Sequence, residues 1–201
     1  MKSVYNFIVK PLRARYDNIR QVDDKQLIIN TSIEDHSFVS KKAVVVEVPL
    51  TLNTSIKKGD TVYVHHNIFR RWYDQKGRER NSSTYFKDDL YFCSPGQIYA
   101  YKRNDEIICN WKYCFVSPIR NINALITSKE REHFGILKYS NNLLEAAGLK
   151  PGELVVFTPN SEFEFIIEGQ RLYCMKSNDI ALTHEYEGHE KEYNPSWAQS
   201  G

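Results

Sequence analysis

The sequence predicts an all-β protein made of two tandem small β-barrels. Three observations carry this. Short runs rich in β-branched and aromatic residues recur between Gly, Pro, Asn and Asp, and the 201 residues include 13 Tyr and 10 Phe. Helical periodicity is nearly absent. The chain also repeats itself: Lys58-Gly59-Asp60-Thr61-Val62 returns as Pro151-Gly152-Glu153-Leu154-Val155, Leu90-Tyr91-Phe92-Cys93 as Leu172-Tyr173-Cys174-Met175, and Val9-Lys10-Pro11 as Val116-Ser117-Pro118.

The expected strands follow in order. Residues 4–11 are apolar and β-rich. Ala43-Val44-Val45-Val46-Glu47-Val48 is a β-branched run that Pro49 ends, and 61–65 follow the Gly59 turn. Residues 68–85 read as a hairpin with its tip at Gln75-Lys76-Gly77. Residues 91–102 hold two runs broken at Ser94-Pro95-Gly96. The second copy repeats the pattern at 113–119, 135–139, 154–157, 163–167, 171–175 and 180–184. The one helical candidate is Asn142-Leu143-Leu144-Glu145-Ala146-Ala147, closed by Gly148 as a C-cap. A polar stretch at 103–106 suggests two domains, 1–103 and 104–186, followed by a polar tail over 187–201 that reads as loose, with Trp197 as its docking aromatic.

The repeat has a gap. Pro11 to Gly59 spans 48 positions, but Pro118 to Gly152 spans 34. The first copy therefore carries an extra segment between its first strand and its Gly turn, from about Asn18 to Lys42, and a long insertion of this kind points to function.

Composition narrows the function class. A net charge of +2 lacks the basic excess of a dedicated nucleic-acid binder. No run approaches the apolar length of a membrane span, and the N-terminus lacks the apolar run of a signal peptide. Cys93, Cys109, Cys114 and Cys174 form no C-x-x-C pair and sit in strand-like contexts, which suggests reduced thiols in a cytoplasmic protein over a Cys109 to Cys114 disulfide. His65-His66, placed on a strand, point to opposite faces and do not chelate together, and His184 and His189 lie where a strand gives way to the tail. No phosphate loop, nucleophile elbow or catalytic constellation is present, so neither an enzyme nor a metal or cofactor site is expected.

The ordered set Val9-Lys10-Pro11, Leu27-Ile28-Ile29-Asn30, Val44-Val45-Val46, Lys58-Gly59-Asp60-Thr61-Val62, Asp88-Asp89-Leu90-Tyr91-Phe92 and Ile98-Tyr99-Ala100 resembles the ten-kilodalton co-chaperonin (GroES-like) family. The match runs through residues 4–102 and, more weakly, 113–186. Lys25-Gln26 stand where the family's mobile loop opens with a Gly pair, and Pro49-Leu50-Thr51-Leu52-Asn53-Thr54 is too short for its roof hairpin. Bacteriophage-encoded members have similarly shortened roofs, and the tandem arrangement is similar to the double-domain co-chaperonins of plastids. The resemblance implies a lid that forms a homo-oligomeric ring in the cytoplasm (the host's, for a phage protein). It would cap an ATP-loaded chaperonin ring and enclose a substrate protein, with no chemistry of its own.

The candidate partner-binding arm is Leu27-Ile28-Ile29, whose other reading is an ordinary core strand. Ala124-Leu125-Ile126 is a weaker second arm. Phe69-Arg70-Arg71-Trp72-Tyr73, with Lys76, Arg78 and Arg80, mixes bases and aromatics. That mixture fits single-stranded nucleic acid or a subunit contact, but a twisted hairpin with solvated charges accounts for it more simply. A structural or interaction module that kept the fold without a chaperonin is the main alternative to the lid. A nucleic-acid-binding barrel is the weaker one.

Overall fold

A computed structural model describes residues 2–16, 19–22, 25–28, 35–121, 129–184 and 188–200. The chain divides into two units, between Glu106 and Ile107. Both are built from antiparallel strands, and the protein is mostly β.

The first unit begins with β1 (Phe7–Pro11). A separate two-stranded hairpin follows, β2 (Ile19–Val22) and β3 (Lys25–Ile28), paired from Ile19↔Ile28 to Val22↔Lys25. Next come β4 (Lys42–Glu47) and β5 (Thr61–Val64), then a second separate hairpin, β6 (Arg71–Tyr73) and β7 (Glu79–Asn81). The unit ends with β8 (Tyr85–Lys87), β9 (Leu90–Cys93) and β10 (Ile98–Arg103). Hydrogen bonding joins these in the order β10–β5–β4–β1–β9–β8. The chain then passes through β11 (Glu106–Cys109).

The second unit contains β12 (Tyr113–Arg120), β13 (Glu130–Tyr139), α1 (Asn142–Ala146), β14 (Leu154–Phe157), β15 (Phe163–Ile167), β16 (Gln170–Lys176) and β17 (Ile180–His184). Its order is β15–β16–β12–β13–β14–β17. Read from the other end, this is the order of the first unit with each strand replaced by its repeat. Registers agree as well. Val9↔Val45 and Pro11↔Ala43 return as Val116↔Leu137 and Pro118↔Gly135. The strand pair β5–β10 skips a residue at Tyr99 (Val64↔Ile98, then Tyr63↔Ala100), and β14–β17 skips the matching Ala181 (Phe157↔Ile180, then Val156↔Leu182). Such a bulge sharpens local twist, so both sheets bend at one place.

The Gly turns coincide atom for atom. The Gly59 N–H donates to Val45 O (2.8 Å), and the Val45 N–H donates to Asp60 O (3.0 Å). Gly152 and Glu153 make the same pair with Leu137, at 2.7 and 2.9 Å. The first unit stabilises its turn further. The Asp60 carboxylate accepts from Lys57 N–H (2.7 Å) and from Arg103 Nε–H (3.1 Å). Burial works against its charge, but the Arg103 and Lys57 hydrogen bonds outweigh that and hold its pKa below the usual aspartate value.

The strands β1, β10 and β12 bury apolar side chains on both faces, whereas β4 and β9 alternate buried with half-buried positions. In the second unit Cys114, Val116, Leu137, Val155, Phe157 and Met175 form one cluster, and Ile119, Ile136 and Leu154 another. Each such side chain contributes about 1.5–3 kcal/mol. The helix α1 is capped by Asn141, whose Oδ1 accepts from the Leu143 and Leu144 N–H groups (3.0 and 3.1 Å). The Asn141 amide also donates to Tyr113 O (2.7 Å), tying helix to sheet.

The expected all-β class with antiparallel sheets is what forms, and no closed barrel is found: among the described residues, no pairing joins β10 to β8 or β17 to β15. Two expectations need correction. The described part of the tail is docked, not loose. Tyr193 N–H donates to Pro118 O (2.7 Å), Arg120 N–H to Lys191 O (2.8 Å), and Ala198 is fully buried. His65 and His66 do not occupy opposite strand faces. The chain leaves β5 at Val64, and the two rings lie 4.4 Å apart. His65 Nδ1 accepts from Asn67 N–H (3.1 Å), and burial, with Lys41 nearby, lowers its pKa.

Candidate functional site

The two copies differ by two insertions, both in the first. Pro11 to Ala43 is 32 positions against 17 from Pro118 to Gly135, and the excess contains the β2–β3 hairpin. Val62 to Tyr91 is 29 positions against 18 from Val155 to Tyr173, and this excess contains the β6–β7 hairpin. Among the described residues, neither hairpin is paired into a larger sheet.

Leu27 and Ile28 lie on β3, where their register partners are Arg20 and Ile19. Ile29 lies outside the described residues, as do Leu125 and Ile126 of the weaker arm. Among the described residues, β3 pairs with β2 and with no other strand.

The neck of this arm is well defined. Tyr16 and Val39 form an antiparallel bridge, both are buried, and Ser40 N–H donates to Arg15 O (2.8 Å). Arg15 reaches the other insertion: Nη1–H donates to Asn81 Oδ1 (2.8 Å) and Nη2–H to Phe69 O (3.0 Å), with the guanidinium 5.2 Å from the Tyr91 ring centre. Tyr16 Oη accepts from the Arg71 backbone N–H (2.7 Å), and the Arg71 guanidinium lies 4.7 Å from the Tyr16 ring centre. Sequence reading did not find Arg15 or Tyr16, because their partners stand 54 to 66 positions away and no local motif marks them.

The basic and aromatic run resolves into a hairpin. Phe69 is fully buried, edge-on to Tyr91 with ring centres 4.9 Å apart. Arg71 pairs with Glu79 (2.7 Å) and Arg80 with Asp74 (2.9 Å), which offsets much of the positive charge a phosphate backbone would need. Trp72 and Tyr73 remain exposed.

All four cysteines are free. Burial pushes the Cys114 thiol up to about 12 and raises Cys93, Cys109 and Cys174 as well, so none is a ready thiolate nucleophile. Among the described residues, no three His, Cys, Asp or Glu side chains gather as metal ligands, and no helix is long and apolar enough to cross a membrane. No family model matches the chain, and no curated protein matches it.

Proposed function

We propose that this protein is a divergent co-chaperonin of two tandem GroES-like barrels, and that it docks on an ATP-loaded chaperonin ring through the β2–β3 arm. One observation carries the reading. Two copies share strand order and register, and among the described residues the first adds a self-paired hairpin bearing Leu27 and Ile28, beside Ile29 in sequence.

The mechanism is binding and release. Three aliphatic side chains buried in an apolar groove contribute roughly 5–9 kcal/mol. Ordering the residues of a docking arm costs roughly 1–2 kcal/mol each, so one arm binds weakly by itself. Several arms on one ring bind well, because each arm after the first docks at high local concentration. Modest affinity per arm suits a lid that must leave after the partner hydrolyses its nucleotide.

The test is co-elution with the chaperonin of the same cell, with and without ATP, for the wild type and Ile28→Asp. The expected result is nucleotide-dependent binding that the substitution weakens at least tenfold, equivalent to about 1.4 kcal/mol. Its circular dichroism should not change. Equal binding by the variant would remove the arm from the proposal. No binding by the wild type would leave a GroES-like interaction module without a chaperonin.

A further inference from the structure

We infer that the β6–β7 hairpin is a brace that fixes the direction of the β2–β3 arm, with Arg15 and Tyr16 as the positioning residues at the joint. An isolated two-stranded hairpin is marginal in water. The backbone bridge Tyr16↔Val39 and the Ser40 bond tie the two chain segments together at the neck. The side chains of Arg15 and Tyr16 extend that tie to the second insertion, which holds each of them. Arg15 is bound at Asn81 and Phe69, and Tyr16 is bound at Oη by Arg71 N–H and covered by the Arg71 guanidinium.

The platform they grip is itself rigid. The Asp74 carboxylate closes the hairpin turn by accepting from Lys76 N–H, Arg78 N–H and Arg80 Nε–H, each at 2.9 Å. At the hairpin base, Ser82 and Thr84 hydroxyls both donate to Ile68 O, at 2.6 and 2.8 Å. Arg71 is fixed from its far end by Glu79. Both insertions occur in one copy, and they meet at the neck. The second copy is shorter at both places, between β12 and β13 and between β14 and β15. The use of the brace in capping rests on the proposed function, but its existence does not.

Amide hydrogen exchange of the full chain tests it without any partner. In the double variant Arg15→Met/Tyr16→Phe, exchange across 19–28 should accelerate about tenfold or more, the effect of losing two or three net hydrogen bonds. Exchange in β1, β4 and β5 should stay at the wild-type rate. Tyr16→Phe alone, which keeps the ring, should give a smaller rise in the same segment, and Arg78→Ala, away from the neck, none. Unchanged exchange across 19–28 overturns the brace. An equal rise in β1 and β4 also overturns it, by making Arg15 and Tyr16 plain core residues. If the exchange result holds but the protein binds no chaperonin, the brace stands and the capping role falls.

Discussion

Replacing Gly59 and Gly152 with alanine measures whether the two copies are mechanically the same object. Their φ angles are +91° and +97°, and a Cβ built at either would meet no atom within 4 Å. Space is therefore not the issue, and the cost is backbone strain, about 1–2 kcal/mol per site. A gain of about 0.4–1 kcal/mol from a stiffer unfolded chain offsets part of it. The net expectation is about 1 kcal/mol for each variant and about 2 kcal/mol for the double, since the sites share no partner. Urea denaturation followed by intrinsic fluorescence is the assay. With m near 1–3 kcal/mol/M, each single variant lowers the midpoint by roughly 0.3–1 M. Gly96 is the control: nothing lies within 4 Å of its Cβ and its φ is not positive, so Gly96→Ala should leave the midpoint unchanged or raised. Equal midpoints for Gly59→Ala and Gly96→Ala would refute the strain argument. A loss at only one of Gly59 and Gly152 would refute the equivalence of the turns.

Other outcomes follow from single contacts. A Cβ on Gly135 would lie 2.3 Å from Val116 Cγ1 and 2.6 Å from Ser117 O, so Gly135→Ala should destabilise by about 1–3 kcal/mol, with a thermal melt as the check. Asp60→Asn should lower stability at neutral pH. The native carboxyl titrates below its ordinary 3.8, so its contribution is present above that pH and fades as pH falls through the native value, and the gap between variant and wild type should close on acidification. A gap that persists at low pH would contradict this. Thiol titration at pH 8 should find Cys93, Cys114 and Cys174 inert until denaturant is added, and fast native reaction of all four cysteines would oppose the burial described.

The framework strands were legible because each is a short β-branched or aromatic run cut by Gly or Pro, and the repeat showed which runs correspond. The arm was legible as a length difference, not as a hairpin: Ile19-Arg20-Gln21-Val22 is too polar and too short to announce a strand. The strand β8 was hidden for a related reason. It is joined to β9 through Asp88 and Asp89, both at positive φ (47° and 58°), a turn that Gly or Asn would have advertised. The second insertion is legible only in the spacing beyond the Gly turns, from Val62 to Tyr91 against Val155 to Tyr173. The docked tail was illegible because its partners are far away in sequence, both in backbone bonds, as at Tyr193 and Pro118, and in the side-chain bonds of Asn194 to Gly169 and Arg171, and Trp197 was its only sequence signal. The brace joins residues far apart in sequence, which one chain without a spatial frame does not reveal.

Tandem copies with the same strand order carry a hazard during synthesis, since a strand of one can be taken up by the other's sheet. The close approach of β12 and β13 at Gly135 would disfavour that exchange. Ala43 of β4 is the counterpart of Gly135, and each faces the proline of its own copy. If β4 entered the second sheet in place of β13, the Ala43 methyl would fall where a Cβ lies 2.3 Å from Val116 Cγ1. On that geometry, one missing methyl group would favour the proper strand over its near twin. Vectorial folding helps too, because the first unit is complete in sequence before β12 is made.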